Sequence, residues 1–192
     1  IGDQAFSRCS ALVELALPTA LTSIGAGAFK QCSSLAKLTL PAALTSIGDD
    51  AFYGCSSLTS LTFPASVVTI GDCAFGGCSS LTNVDFSAVT DANIGQAVFN
   101  RCERLVKLTL PAALSIINAF TFSGCSALVE LTLPPALRRI CANAFTHCSA
   151  LAKLTLPTGL KCIDQFAFSN CTSLTTLIVP AALQLTHVGD EA

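Results

Sequence analysis

The sequence has little of the charge and aromatic content that nucleic-acid-binding proteins display. Only 11% of its 192 residues are charged, the formal net charge is −2, and tryptophan and methionine are absent. Because a charge this close to zero creates no broad positive field, we expect no binding to nucleic acid. Every apolar run is shorter than the roughly 18 residues that a membrane-spanning helix needs, so we expect no membrane insertion.

Recognisable catalytic motifs are also lacking. The sequence contains no G-x-S-x-G nucleophile motif, no phosphate-binding P-loop and no H-E-x-x-H zinc motif. The two histidines, His147 and His187, have no carboxylate and nucleophile placed around them within the repeat. We therefore predict that the protein is not an enzyme and uses no cofactor and no metal ion.

The main feature of the sequence is a tandem repeat of about 23 residues. Its pattern is I-G-x-x-A-F-x-x-C-S-x-L-x-x-L-T-L-P-x-x-L-x-x. Eight copies begin at Ile1, Ile24, Ile47, Ile70, Ile94, Ile117, Ile140 and Ile163, and a partial ninth begins at Val188. Residues 1–192 are thus predicted to form one solenoid domain, because stacked copies share a core that a single copy could not bury. The fourth copy is one residue longer than the first three, which predicts a local bulge.

Each copy predicts a strand, a turn, a second short extended segment and a short helix. Leu15 and Leu17 lie two residues apart, which is the spacing of one face of a strand, and Glu14 then points outwards. Helical spacing relates four apolar positions: Ala5, Phe6, Cys9 and Leu12. The predicted fold is an α/β solenoid, a right-handed coil with a parallel β-sheet on one face and short helices or turns on the other.

Eleven cysteines in a chain of this length suggest disulfide bonds. Eight of them, however, fall in one column of the repeat: Cys9, Cys32, Cys55, Cys78, Cys102, Cys125, Cys148 and Cys171. Side-by-side Cβ vectors in such a column suit a bridge poorly, so we predict a ladder of buried free thiols. A bridge between Cys141 and Cys162, near the same edge of adjacent coils, is the alternative.

The repeat resembles the BspA-like branch of the leucine-rich repeat superfamily. Residues 47–55 carry its I-G-x-x-A-F-x-x-C motif, and Leu58, Leu61, Phe63 and Pro64 complete the pattern. The resemblance covers the whole chain and implies a leucine-rich repeat fold without catalytic residues. It also implies a cell-surface or extracellular location, since members of this branch are surface proteins of bacteria and protists and some are adhesins.

The outward face of the predicted sheet is the candidate binding site, because its residues differ between copies while the core columns stay fixed. The predicted partner-binding residues are Glu14, Lys37, Ser60, Asn83, Asp85, Lys107, Glu130 and Lys153. We predict a non-catalytic module that binds a protein or a glycan through this face.

Two alternatives to this binding function remain at this point. One is a structural spacer or accessory subunit, which would make end-to-end or subunit contacts because no capping segment is recognisable around Ile1 or Ala192. The other is an ice-binding solenoid, suggested by the threonines that recur beside the candidate site.

Overall fold

The computed structural model describes all residues, 1–192, as a solenoid in which each coil contributes two short strands to two parallel sheets. The first sheet, formed by the odd-numbered strands, contains β1 Glu14–Leu15, β3 Lys37–Leu38, β5 Ser60–Thr62, β7 Asn83–Asp85, β9 Lys107–Thr109, β11 Glu130–Thr132, β13 Lys153–Thr155 and β15 Thr176–Ile178. The second sheet, formed by the even-numbered strands, contains β2 Ser23–Ile24, β4 Ser46–Ile47, β6 Thr69–Ile70, β8 Asn93–Ile94, β10 Ile116–Ile117, β12 Arg139–Ile140, β14 Cys162–Ile163 and β16 His187–Val188. The predicted repeat solenoid with a parallel sheet is confirmed.

A single apolar cluster of 48 buried residues runs through the coils. At its centre the phenylalanine rings of successive coils stack in parallel, offset pairs, with ring centroids 5.2–5.8 Å apart from Phe6 to Phe168. Ring pairs at such distances add about 0.5–1.5 kcal/mol each beyond the burial of their surface. The phenylalanine stack therefore connects successive coils at the centre of the core.

The predicted short helices are wrong, and with them the α/β class, because the chain contains no helix. The segment with helical spacing is a run of turns in which the fourth and eighth residues of a copy adopt positive φ, as at Gln4 (54°) and Arg8 (62°). A left-handed residue ends a right-handed helix after a single turn. The apolar residues still recur every three or four positions, so the spacing alone could not distinguish these turns from a helix.

Hydrogen bonds between coils replace the expected hydrogen bonds within a helix. The Phe29 N–H donates to Ala51 O of the next coil at 2.7 Å, and the Gln31 N–H donates to Tyr53 O at 2.6 Å. Because a helix of so few residues is marginal on its own, pairing with the adjacent coil satisfies these backbone donors better.

Both sheets are interrupted. The second sheet breaks between β8 and β10, directly after the longer fourth copy, and the first sheet breaks between β3 and β5 and between β9 and β11. The extra residue of the fourth copy lies before β8, and β6 and β8 on either side of it remain paired in register; the break follows at the next step of the stack. The eighth copy is two residues longer than the first three, which predicts a second bulge, yet Ile163 and Val188 remain paired in register.

Candidate binding face on the first sheet

The structure places the predicted partner-binding residues on the outer side of the first sheet. Six of them are exposed: Glu14, Lys37, Ser60, Lys107, Glu130 and Lys153. Each lies at or near the start of its strand, and the leucine that follows packs into or against the core. The alternation of a strand thus brings these side chains to one face, as their spacing predicted.

The charges of this face are not neutralised within the protein. Glu130 and Lys153 stand opposite each other on β11 and β13, yet neither is among the two ion pairs of the chain. Lys107 is separated from Glu130 by the break between β9 and β11. Unpaired exposed charges keep their full capacity for a partner of opposite charge.

Two of the predicted residues are half-buried and serve the fold as well. The Asp85 carboxylate accepts a hydrogen bond of 2.8 Å from the Ser87 N–H, which holds the turn after β7. Asn83 Oδ1 is buried without a hydrogen-bond partner. The contribution of both residues to a binding surface is therefore smaller than that of their exposed neighbours.

Two shallow clefts lie at the end of the first sheet where β9, β11 and β13 meet the following prolines. One of about 320 Å³ is lined by Glu130, Lys153 and Pro157, and the other of about 320 Å³ by Leu108, Pro134 and Pro135. Sequence reasoning missed both clefts. The only indication of them was the doubled proline at 134–135, which no other copy contains.

The cysteine ladder has a chemical role that the repeat pattern did not reveal. Seven thiols each donate to the phenylalanine carbonyl oxygen of the preceding coil, with S···O distances of 3.2–3.4 Å. All eleven cysteines are free thiols, including Cys141 and Cys162; six of the eight column cysteines are buried as predicted, whereas Cys9 is exposed and Cys171 is partly buried. Cysteine therefore suits this column because it is a small apolar residue with a weak hydrogen-bond donor.

Burial governs the reactivity of these thiols, since desolvation raises the pKa of Cys55 and of Cys125 to about 12. We expect Cys32, Cys55, Cys78, Cys102, Cys125 and Cys148, the six buried cysteines, to resist iodoacetamide at pH 8 until the chain unfolds. Peptide mass spectrometry after timed alkylation would measure this. Alkylation of Cys102 in the folded protein as fast as that of exposed Cys9 would contradict it.

No three His, Cys, Asp or Glu side chains are gathered closely enough to hold a metal ion. No segment forms a helix with the length and apolar character needed to cross a membrane. The predicted residues that form a common surface are the six exposed residues of the first sheet.

Two parallel sheets, a leucine-rich strand in every coil and a stacked phenylalanine column define a leucine-rich repeat solenoid. The chain belongs to the family described as the BspA type leucine rich repeat region, whose model of six copies matches residues 1–92 and 92–192. This is the family that the repeat of about 23 residues predicted from the sequence. A search of curated proteins found no significant match.

Several solved bacterial structures are similar to the chain. A leucine-rich repeat protein from Bacteroides ovatus is 28% identical, with a TM-score of 0.71 over 98% of this chain and 54% of its own. The T. pallidum leucine-rich repeat protein TpLRR is 31% identical, with a TM-score of 0.69 over 76% of this chain and 67% of its own. The pneumococcal vaccine antigen PcpA is 25% identical, with a TM-score of 0.54 over 98% of this chain and 56% of its own. The chain thus spans about half the length of the Bacteroides ovatus and pneumococcal proteins.

Proposed function

We propose that the protein is a non-catalytic interaction module that binds a protein or glycan partner through the outer face of the first sheet. The observation that carries the proposal is the contrast between fixed core columns and a changing, exposed column on the same strands. Since residues that do not hold the coils together are free to differ, their variety suits recognition.

The region around β9, β11 and β13 is the centre of the proposed surface. It combines the unpaired charges of Lys107, Glu130 and Lys153 with the exposed apolar side chains of Val106 and Val129. The cleft lined by Glu130 and Lys153 adds concavity to an otherwise flat sheet. Apolar surface beside charges of both signs favours a partner that presents mixed polar and apolar groups.

We place this binding at a cell surface or in an extracellular setting. The similar pneumococcal protein is described as a vaccine antigen, and that description supports the proposed location. A role as a spacer or accessory subunit is the competing function, and it would require no partner on the first sheet.

Reversing the three charges, with Lys107→Glu, Glu130→Lys and Lys153→Glu in one variant, tests the proposal. We expect ligands selected on a glycan array and from a displayed peptide library to lose at least tenfold in affinity, about 1.4 kcal/mol. The melting temperature should stay nearly unchanged, because exposed unpaired charges contribute little to stability.

Arg104→Glu, an exposed charge reversal outside the first sheet, is the matched control and should bind like the unaltered protein. If every selected ligand bound the triple variant as tightly as the original chain, the first sheet would not be the binding face.

A further inference from the structure

The break in the second sheet leaves backbone donors without their usual acceptor. In the coils beyond the break, two successive N–H groups share one carbonyl oxygen of the preceding coil. Arg138 and Arg139 both donate to Ser115 O, at 2.7 and 3.2 Å, and Lys161 and Cys162 both donate to Arg138 O, at 2.8 and 3.1 Å. Each such pair of donors thus converges on a single oxygen atom.

Ser115 and Ile116 are the equivalent pair in the coil after the extra residue. No carbonyl oxygen of residues 87–92 accepts from either of them, and the only backbone bond from this stretch to that segment is Ala113 N–H to Thr90 O at 3.3 Å. Because β10 still pairs with β12 in the ordinary register, the two N–H groups keep their direction. By analogy with Arg138 and Arg139, the N–H groups of Ser115 and Ile116 face the space between β8 and β10.

A cleft of about 320 Å³ occupies that space and is lined by residues of both coils, including Val68, Asp91, Ser115 and Ile116. The Asn118 side-chain N–H donates to Ile94 O at 2.7 Å. In other coils this isoleucine oxygen accepts from a backbone N–H instead, as Ile117 O does from Cys141. The phenylalanine stack is also most widely spaced here, at 5.8 Å on both sides of Phe99. The cleft is therefore a consequence of the coil stacking and not of a single side chain.

The rim of the cleft is unusually apolar for the second sheet. Val68 is 59% exposed and Ile116 is 44% exposed. The column of Ile116 otherwise holds Ser23, Ser46, Thr69, Asn93, Arg139, Cys162 and His187. Two exposed aliphatic side chains beside two convergent donors form a site with both apolar and polar contacts, as ligand sites usually do.

We propose that this cleft binds a backbone amide of a peptide that carries an aliphatic side chain. The ligand carbonyl oxygen accepts from the Ser115 and Ile116 N–H groups, and the aliphatic side chain packs against Val68 and Ile116. Asp91, on the wall of the cleft, disfavours an anion and can accept from the ligand N–H. An N-acetylated sugar has the same amide, but its hydroxyl-bearing ring would lie against the apolar rim, so the peptide is favoured.

Titration of the ¹⁵N-labelled chain with N-acetyl-leucine-N-methylamide tests the site by NMR. We expect saturable shifts of the Ser115 and Ile116 amide signals, with no comparable shift at Arg138 and Arg139, whose N–H groups already have an acceptor. Ile116→Ser, which installs a residue common in that column, should weaken binding about tenfold through lost apolar contact.

A loop replacement provides the closing control. Exchanging the seven residues 87–93 for the six residues 64–69 of the third coil restores the repeat length, so a carbonyl group should return beneath Ser115 and Ile116. The shifts should then disappear. The absence of saturable shifts, identical shifts in the loop variant, or shifts caused by N-acetylglucosamine and not by the peptide amide would each overturn the proposal.

Discussion

Replacing Phe99 by alanine is expected to lower the free energy of unfolding by about 3–5 kcal/mol. The Phe99 side chain is fully buried and stacks between Phe75 and Phe122, with Phe86 edge-on at 6.1 Å. The substitution removes ring contacts with two neighbouring coils and leaves a cavity between them. Since a repeat protein is stabilised by contacts between adjacent coils, urea unfolding should show both a lower midpoint and reduced cooperativity.

Phe120→Ala provides the matched control for this experiment. Phe120 belongs to the next coil, lies in a turn and is 43% exposed, so its loss should cost less than about 1 kcal/mol. Equal effects of the two substitutions would show that the phenylalanine stack is not the main connection between successive coils.

Raising the pH from 8 to 10 is expected to destabilise the protein by several kcal/mol. Desolvation raises the pKa of the Cys55 and Cys125 thiols from 9.0 to about 12 and that of Cys78 and Cys102 well above 9.0. These thiols stay protonated in the folded chain but ionise in the unfolded chain above pH 9. Their contribution is therefore fully present below pH 9 and is lost as the pH rises towards the folded-state pKa.

The magnitude follows from the number of thiols. Each thiol that ionises only in the unfolded chain lowers stability by about 1.4 kcal/mol per pH unit above 9, so these four thiols alone remove about 5–6 kcal/mol at pH 10. Burial also raises the pKa of Cys148 and of Cys171, and both thiols add to this loss. That loss is a large part of the stability of an ordinary domain. Urea unfolding at half-unit steps between pH 7 and pH 10.5 would measure the slope.

Cys102→Ala should reduce this slope by one proton, besides lowering stability at neutral pH. Thr121→Ala alters a buried residue that does not titrate in this range, so it should lower stability without changing the slope. A slope that is the same for the original chain and for Cys102→Ala would show that the buried thiols do not control alkaline stability.

The two candidate sites, the exposed column of the first sheet and the cleft of the second sheet, were predictable from the sequence to different degrees. The exposed column from Glu14 to Lys153 followed from strand alternation, because each leucine that turns inwards forces its neighbour outwards. The cleft beside Ile116 could not be predicted in the same way. The extra residue in the fourth copy indicated a bulge, but which N–H groups lost their acceptor depended on how the two coils pair.

The sequence alone determined the solenoid, its repeat length and its core. Leucine, phenylalanine and cysteine recur in register, and burying such columns requires that the copies stack. Tertiary structure alone decided that the Phe6 and Cys9 segment forms turns. Local spacing is the same for a short helix and for successive turns, and only hydrogen bonds to the adjacent coil favour the turns. Tertiary structure likewise decided where the sheets break, because backbone pairing between coils depends on the relative positions of two coils, which no single repeat specifies.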